Sequence, residues 1–195
     1  MINTKKYWEQ RYKEGGNSGA GSYGRLSKFK SDIINNIIKK YNIESILDLG
    51  CGDGNQLSYF KINNYVGYDI SKTIILKNQK IFKHDKTKQF IYNLSKLNNK
   101  KFDLVLSLDV IYHLLEEDLY QEYLNNLIKY SNKYILIYSS NKIHFNANHI
   151  KERKFTNDLK KKKEIELIQF IPNKYPFKND PINESISDFY LYKKI

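Results

Sequence analysis

A chain of 195 residues, 41% of them hydrophobic, has room for one domain with one hydrophobic core and none for a second. No apolar run approaches the roughly 20 residues that span a bilayer, and the first residues lack the apolar core of a secretory signal, so we expect a cytoplasmic protein with no membrane span. The single cysteine, Cys51, excludes an internal disulfide framework and a cysteine-rich zinc site, and the formal net charge of +12 favours an anionic partner, unless it only reflects lysines spread through the chain.

Two helices and a glycine-rich loop are predicted before the first strand. Residues 5–13 form a short amphipathic pattern with many aromatic side chains. Residues 15–24 are rich in glycine and serine, a composition typical of a flexible linker or of a lid over a binding site. From residue 25 to residue 41, apolar residues recur at three- and four-residue steps, which predicts the clearest helix of the chain.

The middle of the chain alternates between short apolar strands and helical patterns. The strands are predicted at 45–49, 65–68, 89–92, 102–109 and 133–138, and the helices from near 55, at 71–82 and around 119–128. Such alternation calls for right-handed crossovers, so we expect an α/β fold with a parallel sheet and helices on both faces. Two further strands, at 164–171 and 189–193, close the chain after a loop that three prolines keep irregular.

Polar residues follow the predicted strands at one edge of the sheet. Four of them lie at or just after carboxyl ends of strands, where open parallel sheets bind ligands: Asp48, Asp69, Asn93 and Asp109. The turn after the first strand reads Gly50-x-Gly52-x-Gly54, and alternating glycines let a ligand approach the backbone N–H groups. The sequence therefore predicts a ligand site at this edge.

The spacing of the glycines discriminates between two cofactor classes. A dinucleotide site uses Gly-x-Gly-x-x-Gly, whereas here the third glycine comes one residue early and Asp53 would repel a pyrophosphate. S-adenosylmethionine carries a sulfonium and no phosphate, so it has no such conflict. Asp69 follows Gly50 by 19 residues, a distance at which an acid accepts from both ribose hydroxyls.

Three segments resemble the successive motifs of class I S-adenosylmethionine-dependent methyltransferases. They are residues 46–54, 66–71 and 102–114, in the order and spacing of that family. The resemblance implies a Rossmann-like, mostly parallel sheet of seven strands with an antiparallel last strand, and S-adenosyl-L-methionine as methyl donor. It divides a single domain, 1–195, into N-terminal helices with a lid (1–41), a cofactor-binding core (45–139) and a substrate-side segment with the closing strands (140–195).

The resemblance also assigns cofactor contacts residue by residue. It implies that the glycine turn approaches the methionine end of the cofactor, that Asp69 takes the ribose, and that Asn93 and Leu94 border the adenine. Family members often have an acid where Asn93 stands. The full set of expected cofactor residues is Asp48, Gly50, Cys51, Gly52, Gly54, Asn55, Asp69, Ile70, Asn93, Leu94 and Leu108.

Candidates for catalysis and acceptor binding lie outside the glycine turn. A hydroxyl acceptor needs a general base, and the candidates are Asp109, His113 and His149. Asp109 and His113 are four residues apart just past the fourth strand, whereas His149 shares a C-terminal segment with His144. No metal site is predicted. The residues expected to contact the acceptor are Tyr23, Arg25, Tyr112 and Arg153.

Several acceptors remain open at this point. The segment after the fourth strand lacks the proline motif of enzymes that methylate exocyclic amines of DNA bases, and no cysteine is placed to attack cytosine C5. The pattern Tyr7-Trp8-Glu9-x-Arg11-Tyr12, with the loop 17–22, is similar to a small branch of the family met near glycan and capsule biosynthesis. We therefore favour O-methylation of a polar or anionic small molecule, such as a sugar, a sugar phosphate or a nucleotide-linked glycan precursor. An RNA methyltransferase and a non-catalytic cofactor-binding protein are the alternatives.

Overall fold

One seven-stranded sheet organises the structure, a computed structural model that describes residues 3–143 and 146–195. A two-stranded hairpin, β6 (Asn146–Ala147) with β7 (Ile150–Lys151), stands apart from it. The strands of the main sheet are β1 (Ile46–Leu49), β2 (Tyr65–Tyr68), β3 (Lys88–Ile91), β4 (Phe102–Leu108), β5 (Ser131–Ser139), β8 (Ile165–Ile171) and β9 (Asp188–Lys194).

The strand order is β3-β2-β1-β4-β5-β9-β8. Strands β1 to β5 pair in parallel, and β9 pairs antiparallel with both β5 and β8, so six strands point one way and the last strand of the chain points the other. This confirms the Rossmann-like α/β sheet with an antiparallel last strand. The order reverses between β1 and β4, which opens a crevice beyond their carboxyl ends.

Helices cover both faces of the sheet, as predicted. On one face α2 and α3 pack over a cluster that includes Ile34 and Ile75, and on the other α4 and α5 pack over a cluster that includes Leu124 and Phe155. Ser71 caps α3 by accepting a hydrogen bond from the backbone N–H of Ile74. The five helices are α1 (Thr4–Lys13), α2 (Gly24–Lys40), α3 (Lys72–Ile81), α4 (Glu117–Tyr130) and α5 (Phe155–Lys160).

The helix predicted from near residue 55 is wrong. Only a single 3-10 turn forms there, Gln56–Tyr59. Residues 55–64 must return the chain from the glycine turn to β2, which leaves no length for a helix. The turn is held instead by the buried Gln56 side chain, whose amide donates to the Ser27 carbonyl at 2.7 Å and to Ser31 Oγ at 2.8 Å.

Two elements of the C-terminal part have no counterpart in the sequence prediction. They are the β6–β7 hairpin and the six-residue helix α5. Both are too short for a periodic apolar pattern to reveal them. Among the described residues, no helix combines the length and the apolar character needed to cross a membrane.

Candidate active site

A cavity opens at the sheet edge where β1, β2 and β4 end. With the open solvent at its mouth included, it encloses about 1040 Å³ of empty space. Its wall comes from the strand ends with the glycine turn, from α4, and from the N-terminal 30 residues. The expected cofactor residues that line it are Asp48, Gly50, Cys51, Gly52, Asp69, Ile70, Leu94 and Leu108.

Three expected cofactor residues lie outside the cavity wall and have structural roles. Gly54, at φ +74°, packs so closely on Phe82 that a Cβ would lie 3.1 Å from the ring. The Asn55 side chain donates to the Ser22 carbonyl at 2.7 Å, joining the turn to the N-terminal loop. Asn93 is exposed and caps a 3-10 turn by accepting from the Ser95 N–H at 3.0 Å, so its side chain is directed to its own backbone.

The glycine turn is a tight crossing between β1 and the neighbouring segments. Its backbone is fixed to β2, because the N–H groups of Gly50 and Cys51 both donate to the Tyr68 carbonyl, at 2.7 and 2.9 Å. Gly50 and Gly52 have φ of +93° and +54°. A Cβ on Gly50 would overlap Val110, and one on Gly52 would overlap Ser18 Oγ. Both glycines are therefore required by conformation and by space.

We expect Gly52→Ala to weaken binding of S-adenosylhomocysteine by roughly tenfold or more, because the added Cβ displaces Ser18 from the turn. Calorimetric titration measures the affinity. Gly24→Ala is the matched control, since Gly24 has φ +57° but a Cβ added there would meet no atom within 4 Å. Equal losses of affinity in both variants would show that backbone strain, and not the contact with Ser18, is responsible.

Two buried carboxylates lie at the floor of the cavity. Asp48 Oδ2 accepts from the Tyr65 hydroxyl at 2.9 Å, whereas its buried Oδ1 has no hydrogen-bond partner among the described residues. Asp69 accepts from the Gly52 N–H at 3.0 Å and the Ser71 N–H at 2.9 Å. Burial raises the pKa of Asp48 to about 7 and that of Asp69 to about 6.

These carboxylates fit a cationic cofactor with a ribose. Asp48 Oδ1, which has no partner among the described residues, could accept a hydrogen bond from a ligand. A positive charge on that ligand would favour the ionised form of the Asp48 carboxyl group. Asp69 retains lone pairs for ribose hydroxyls after its two backbone contacts. Gly50, Cys51 and Gly52 line the cavity, so a ligand bound there would lie against the backbone of the glycine turn. The donor set therefore fits S-adenosylmethionine.

The raised pKa of Asp48 gives a prediction about stability. The folded protein holds this proton up to about pH 7, whereas the unfolded chain loses it near pH 3.8, so the free energy of unfolding falls as pH rises between these values. We expect Asp48→Asn to abolish this contribution, on the order of 3 kcal/mol between pH 5 and pH 8. Urea unfolding of both proteins at the two pH values measures it, and an unchanged difference between the pH values would contradict the raised pKa.

The glycine-rich loop lies directly on the glycine turn. Asp53 Oδ2 accepts from the Ser18 N–H at 2.9 Å and from the Tyr23 hydroxyl at 2.8 Å, and the Asp53 N–H donates back to Ser18 Oγ at 2.8 Å. Asp53 therefore has a structural role as well, because its hydrogen bonds hold the glycine-rich loop against the glycine turn. This arrangement favours the lid interpretation of the loop over the linker interpretation.

Helix α1 closes the same side of the cavity and is anchored at its first residue and near its middle. Thr4 donates from its hydroxyl and its N–H to the carboxylate of Glu116, at 2.5 and 3.0 Å. Glu9 accepts from Ser71 Oγ and Thr73 Oγ1, both at 2.7 Å, at the start of α3. Although burial opposes it, these hydrogen bonds lower the pKa of Glu9 to about 2. Trp8, between the two anchors, and Tyr12, after the second, line the cavity.

His113 lies in the cavity wall as a neutral base. Its Nδ1 is 3.0 Å from the carbonyl oxygen of His149, and a carbonyl only accepts, so Nδ1 carries the proton and Nε2 keeps its lone pair. Burial lowers the pKa of His113 to about 4, which leaves the ring neutral at pH 7. Trp8 contacts the imidazole edge-on, with centroids 5.0 Å apart.

Asp109, the second predicted base, is part of a buried cluster. Its Oδ2 accepts from the ammonium of Lys30 at 2.8 Å, and its Oδ1 accepts from the hydroxyls of Tyr112 and Ser187, each at 2.9 Å. It has φ +58°, an uncommon conformation for a residue other than glycine. Both carboxylate oxygens of Asp109 are therefore engaged by donors of the protein.

The other predicted catalytic and acceptor residues do not line the cavity. Tyr23 donates to Asp53, Arg25 donates to the Asn183 carbonyl at 2.6 Å, and Arg153 donates to the Leu114 carbonyl at 2.7 Å. Each long side chain satisfies backbone or lid contacts instead of facing a ligand. Tyr112 reaches the site only through Asp109, and His149 through its carbonyl and a ring stacked on His113. His144 lies outside the described residues.

The sequence prediction missed part of the cavity wall. Lys30 is one such residue, and its place in the apolar stripe Leu26-Lys30-Ile34 of α2 was the signal, because a lysine there must be buried. The remaining missed residues are Thr4, Trp8, Tyr12, Ser18 and Ser22 from the N-terminal part, Leu49, Gln56, Tyr68, Val110 and Leu114 from the strand ends and the turns after them, and Leu119, Glu122, Tyr123 and Asn126 from α4. No cluster of three or more potential metal ligands occurs in the part of the chain that the structure describes.

Comparisons with known proteins agree with this geometry. Residues 47–132 match a family model described as a methyltransferase domain. A comparison with curated proteins gives no match. Similar solved structures include the N-methyltransferase NodS from Bradyrhizobium japonicum WM9 in complex with S-adenosyl-L-homocysteine, at 10% identity, TM-score 0.75 and 99% coverage of both chains.

Two other solved structures have a similar fold. Magnesium protoporphyrin IX methyltransferase (ChlM) from Synechocystis PCC 6803 with bound S-adenosylmethionine is 13% identical, with TM-score 0.66 and coverage of 100% of this chain and 99% of that one. The methyltransferase domain of bacterial CtHen1-C is 16% identical, with TM-score 0.64 and coverage of 85% and 96%. At these identities the likeness shows the fold.

The sheet is the Rossmann-like fold of these methyltransferases, and residues 47–132 match a methyltransferase domain. The chain is thus similar, in its fold and over this segment, to methyltransferases whose structures contain S-adenosylmethionine or S-adenosylhomocysteine. The branch associated with glycan and capsule biosynthesis has no support from these matches.

Proposed function

We propose that this methyltransferase O-methylates a polar or anionic small molecule, of the kind represented by a sugar, a sugar phosphate or a nucleotide-linked glycan precursor. One observation carries the proposal. His113, in the wall of the cavity, is a neutral imidazole whose Nδ1 proton is engaged by a carbonyl, which leaves Nε2 to accept a proton from a hydroxyl.

The covering of the cavity favours a small acceptor. Trp8 and Tyr12 of α1, with Ser18 and Ser22 of the glycine-rich loop, line it on the solvent side. A nucleic acid strand needs an open, positively charged groove beside the reacting atom. Among the described residues of the wall, Lys30 is the only cationic side chain, and the carboxylate of Asp109 neutralises it.

The mechanism assigns binding to the turn and proton transfer to His113. When bound, S-adenosylmethionine supplies an activated methyl group on a sulfonium that leaves as a neutral thioether. The glycine turn and Asp48 would hold its methionine end, Asp69 would hold its ribose, and Leu94 would border its adenine, since all of them line the cavity. His113 takes the hydroxyl proton on Nε2 as the acceptor oxygen attacks in line. Most of the rate enhancement comes from holding the acceptor about 3 to 3.5 Å from the methyl carbon.

Methyl transfer with radiolabelled cofactor tests the proposal. Purified protein is incubated with pools of sugar nucleotides and phosphorylated sugars and, separately, with RNA stripped of its modifications. We expect label in the first set, in a product that is stable to the treatment that hydrolyses methyl esters. Label in RNA alone would favour the RNA methyltransferase alternative, which the net charge of +12 supports.

Absence of any transfer would favour the third alternative. A protein that binds S-adenosylhomocysteine tightly but labels nothing, in these pools or in a cell extract, would be a cofactor-binding protein without turnover. This result would contradict the proposed function, because O-methylation requires transfer of the methyl group to an acceptor.

A further inference from the structure

Lys30 is the most buried ionisable group of the cavity wall. The residue is 1% exposed, and its ammonium has one hydrogen-bond partner among the described residues, Asp109 Oδ2 at 2.8 Å. An ammonium has three N–H donors, so two remain after this contact. The face of Tyr138 lies 5.2 Å away and provides only a weaker cation–π contact. A buried charge with unused donors is costly unless a ligand completes it.

Asp109 has unused capacity on the same side. Its Oδ1 accepts from Tyr112 and Ser187, whereas its Oδ2 accepts, within the described part of the chain, from Lys30 alone and keeps one lone pair. The pair therefore offers unused donors and one unused acceptor from atoms only 2.8 Å apart. Two neighbouring hydroxyl groups are complementary to this combination, because each hydroxyl both donates and accepts.

The pair lies in the cavity wall, near the ends of β4 and β9. Asp109 follows β4, and Ser187 precedes β9, whereas the cofactor residues Asp48 and Asp69 lie at β1 and β2. The glycine-rich loop passes beside it, since a Cβ on Gly21 would lie 3.0 Å from Asp109 Oδ2 and 4.0 Å from Lys30 Nζ. A side chain on residue 21 would therefore press against the Asp109 carboxylate.

The charges of Lys30 and Asp109 determine which kind of ligand group can bind beside them. The pair is neutral as a whole, and the other ionisable groups of the cavity wall include the carboxylates of Asp48, Asp69 and Glu122. An anionic group placed against Lys30 would also face Asp109 at short range and would be repelled. An uncharged group that both donates and accepts has no such penalty.

We propose that Lys30 and Asp109 bind a neutral vicinal diol of the acceptor, as found on a pyranose ring, with Lys30 donating to one hydroxyl and Asp109 accepting from its neighbour. The inference rests on the proposed function and narrows it, because it names the part of the acceptor that the chain recognises. Any phosphate of the acceptor then lies away from this pair.

Binding to simple probes tests the assignment without any methyl transfer. The protein, saturated with S-adenosylhomocysteine, is titrated by NMR with methyl glucopyranoside, methyl mannopyranoside and methyl galactopyranoside. Tetrahydropyran-2-methanol, a ring with one hydroxyl, and inorganic phosphate are the comparison probes. We expect at least one glycoside to bind at least tenfold more tightly than either comparison probe.

Three variants locate the binding. Gly21→Ala fills the space beside the pair without changing its charge, and Lys30→Met removes the donor, so we expect each to weaken glycoside binding at least tenfold. Lys28→Met, at an exposed position of the same helix, is the control and should change nothing. Affinity for S-adenosylhomocysteine should stay within twofold in Gly21→Ala, which shows that this variant is folded.

Each other outcome overturns the proposal. Failure of all three glycosides to bind, equal binding of the one-hydroxyl ring, or glycoside binding that survives both Gly21→Ala and Lys30→Met would exclude a diol site. Phosphate binding that Lys30→Met abolishes would make the pair an anion site instead. Glycoside binding without methyl transfer to any sugar would leave the diol site standing and would refute only the proposed O-methylation.

Discussion

Replacing Asp69 by alanine should weaken binding of S-adenosylhomocysteine on the order of 100-fold, because two charge-assisted hydrogen bonds to the ribose are lost together. The measurement is a calorimetric titration. Asp32→Ala, at an exposed position of α2, serves as the control and should leave the affinity unchanged.

A modified ligand separates the ribose role of Asp69 from its structural role. Asp69 also accepts from the N–H groups of Gly52 and Ser71, so its loss disturbs the glycine turn as well. The 2′-deoxy analogue of S-adenosylhomocysteine should bind wild-type protein much more weakly than the parent ligand, and the two ligands should bind Asp69→Ala almost equally. Unchanged discrimination in the variant would assign the ribose to another residue.

Replacing His113 by asparagine should lower kcat by about 100-fold or more while affinity for S-adenosylhomocysteine stays within twofold. Asparagine can keep a donor to the His149 carbonyl, where His113 Nδ1 now donates, but it has no basic nitrogen. The change therefore removes the proposed base and preserves the contact that orients it. Steady-state and binding measurements on the same preparation give both numbers.

His84→Ala is the matched control, since His84 is exposed and does not line the cavity. If His113→Asn retained full turnover, the proton would have to leave to solvent or to another group. If it lost cofactor affinity instead, His113 would be part of the cofactor site and the proposed division of roles would be wrong.

Most of the residues expected to bind the cofactor could be placed in the cavity wall from the sequence, for a physical reason. Strand ends and the turn that follows them are local features, so Gly50, Gly52 and Asp69 could be placed by spacing alone. The same reasoning misplaced Asn93, because a short polar side chain after a strand serves equally well to cap a turn, and nothing local separates the two roles.

The contacts among Lys30, Asp109 and Ser187 could not be predicted from the sequence, because these residues come together only in the folded protein. Lys30, Asp109 and Ser187 belong to distant segments, and only folding brings α2 against the ends of β4 and β9. Arg25 and Arg153 looked like ligand residues by charge, yet long cationic side chains also satisfy exposed carbonyls, and here they do so. The helix predicted after the glycine turn does not form, because residues 55–64 must return the chain to β2. Only the 3-10 turn Gln56–Tyr59 is found there.

The glycine-rich loop contacts both halves of the site through residues only three positions apart. Ser18 is hydrogen-bonded to Asp53 of the glycine turn, and Gly21 lies against the Lys30–Asp109 pair. If a ligand changes the contacts of this loop at one end, we expect the contacts at its other end to change as well. Because linkage is reciprocal, the factor by which the cofactor would raise acceptor affinity equals the factor by which the acceptor would raise cofactor affinity. Such coupling would act through this short stretch of backbone and would require no movement of the sheet.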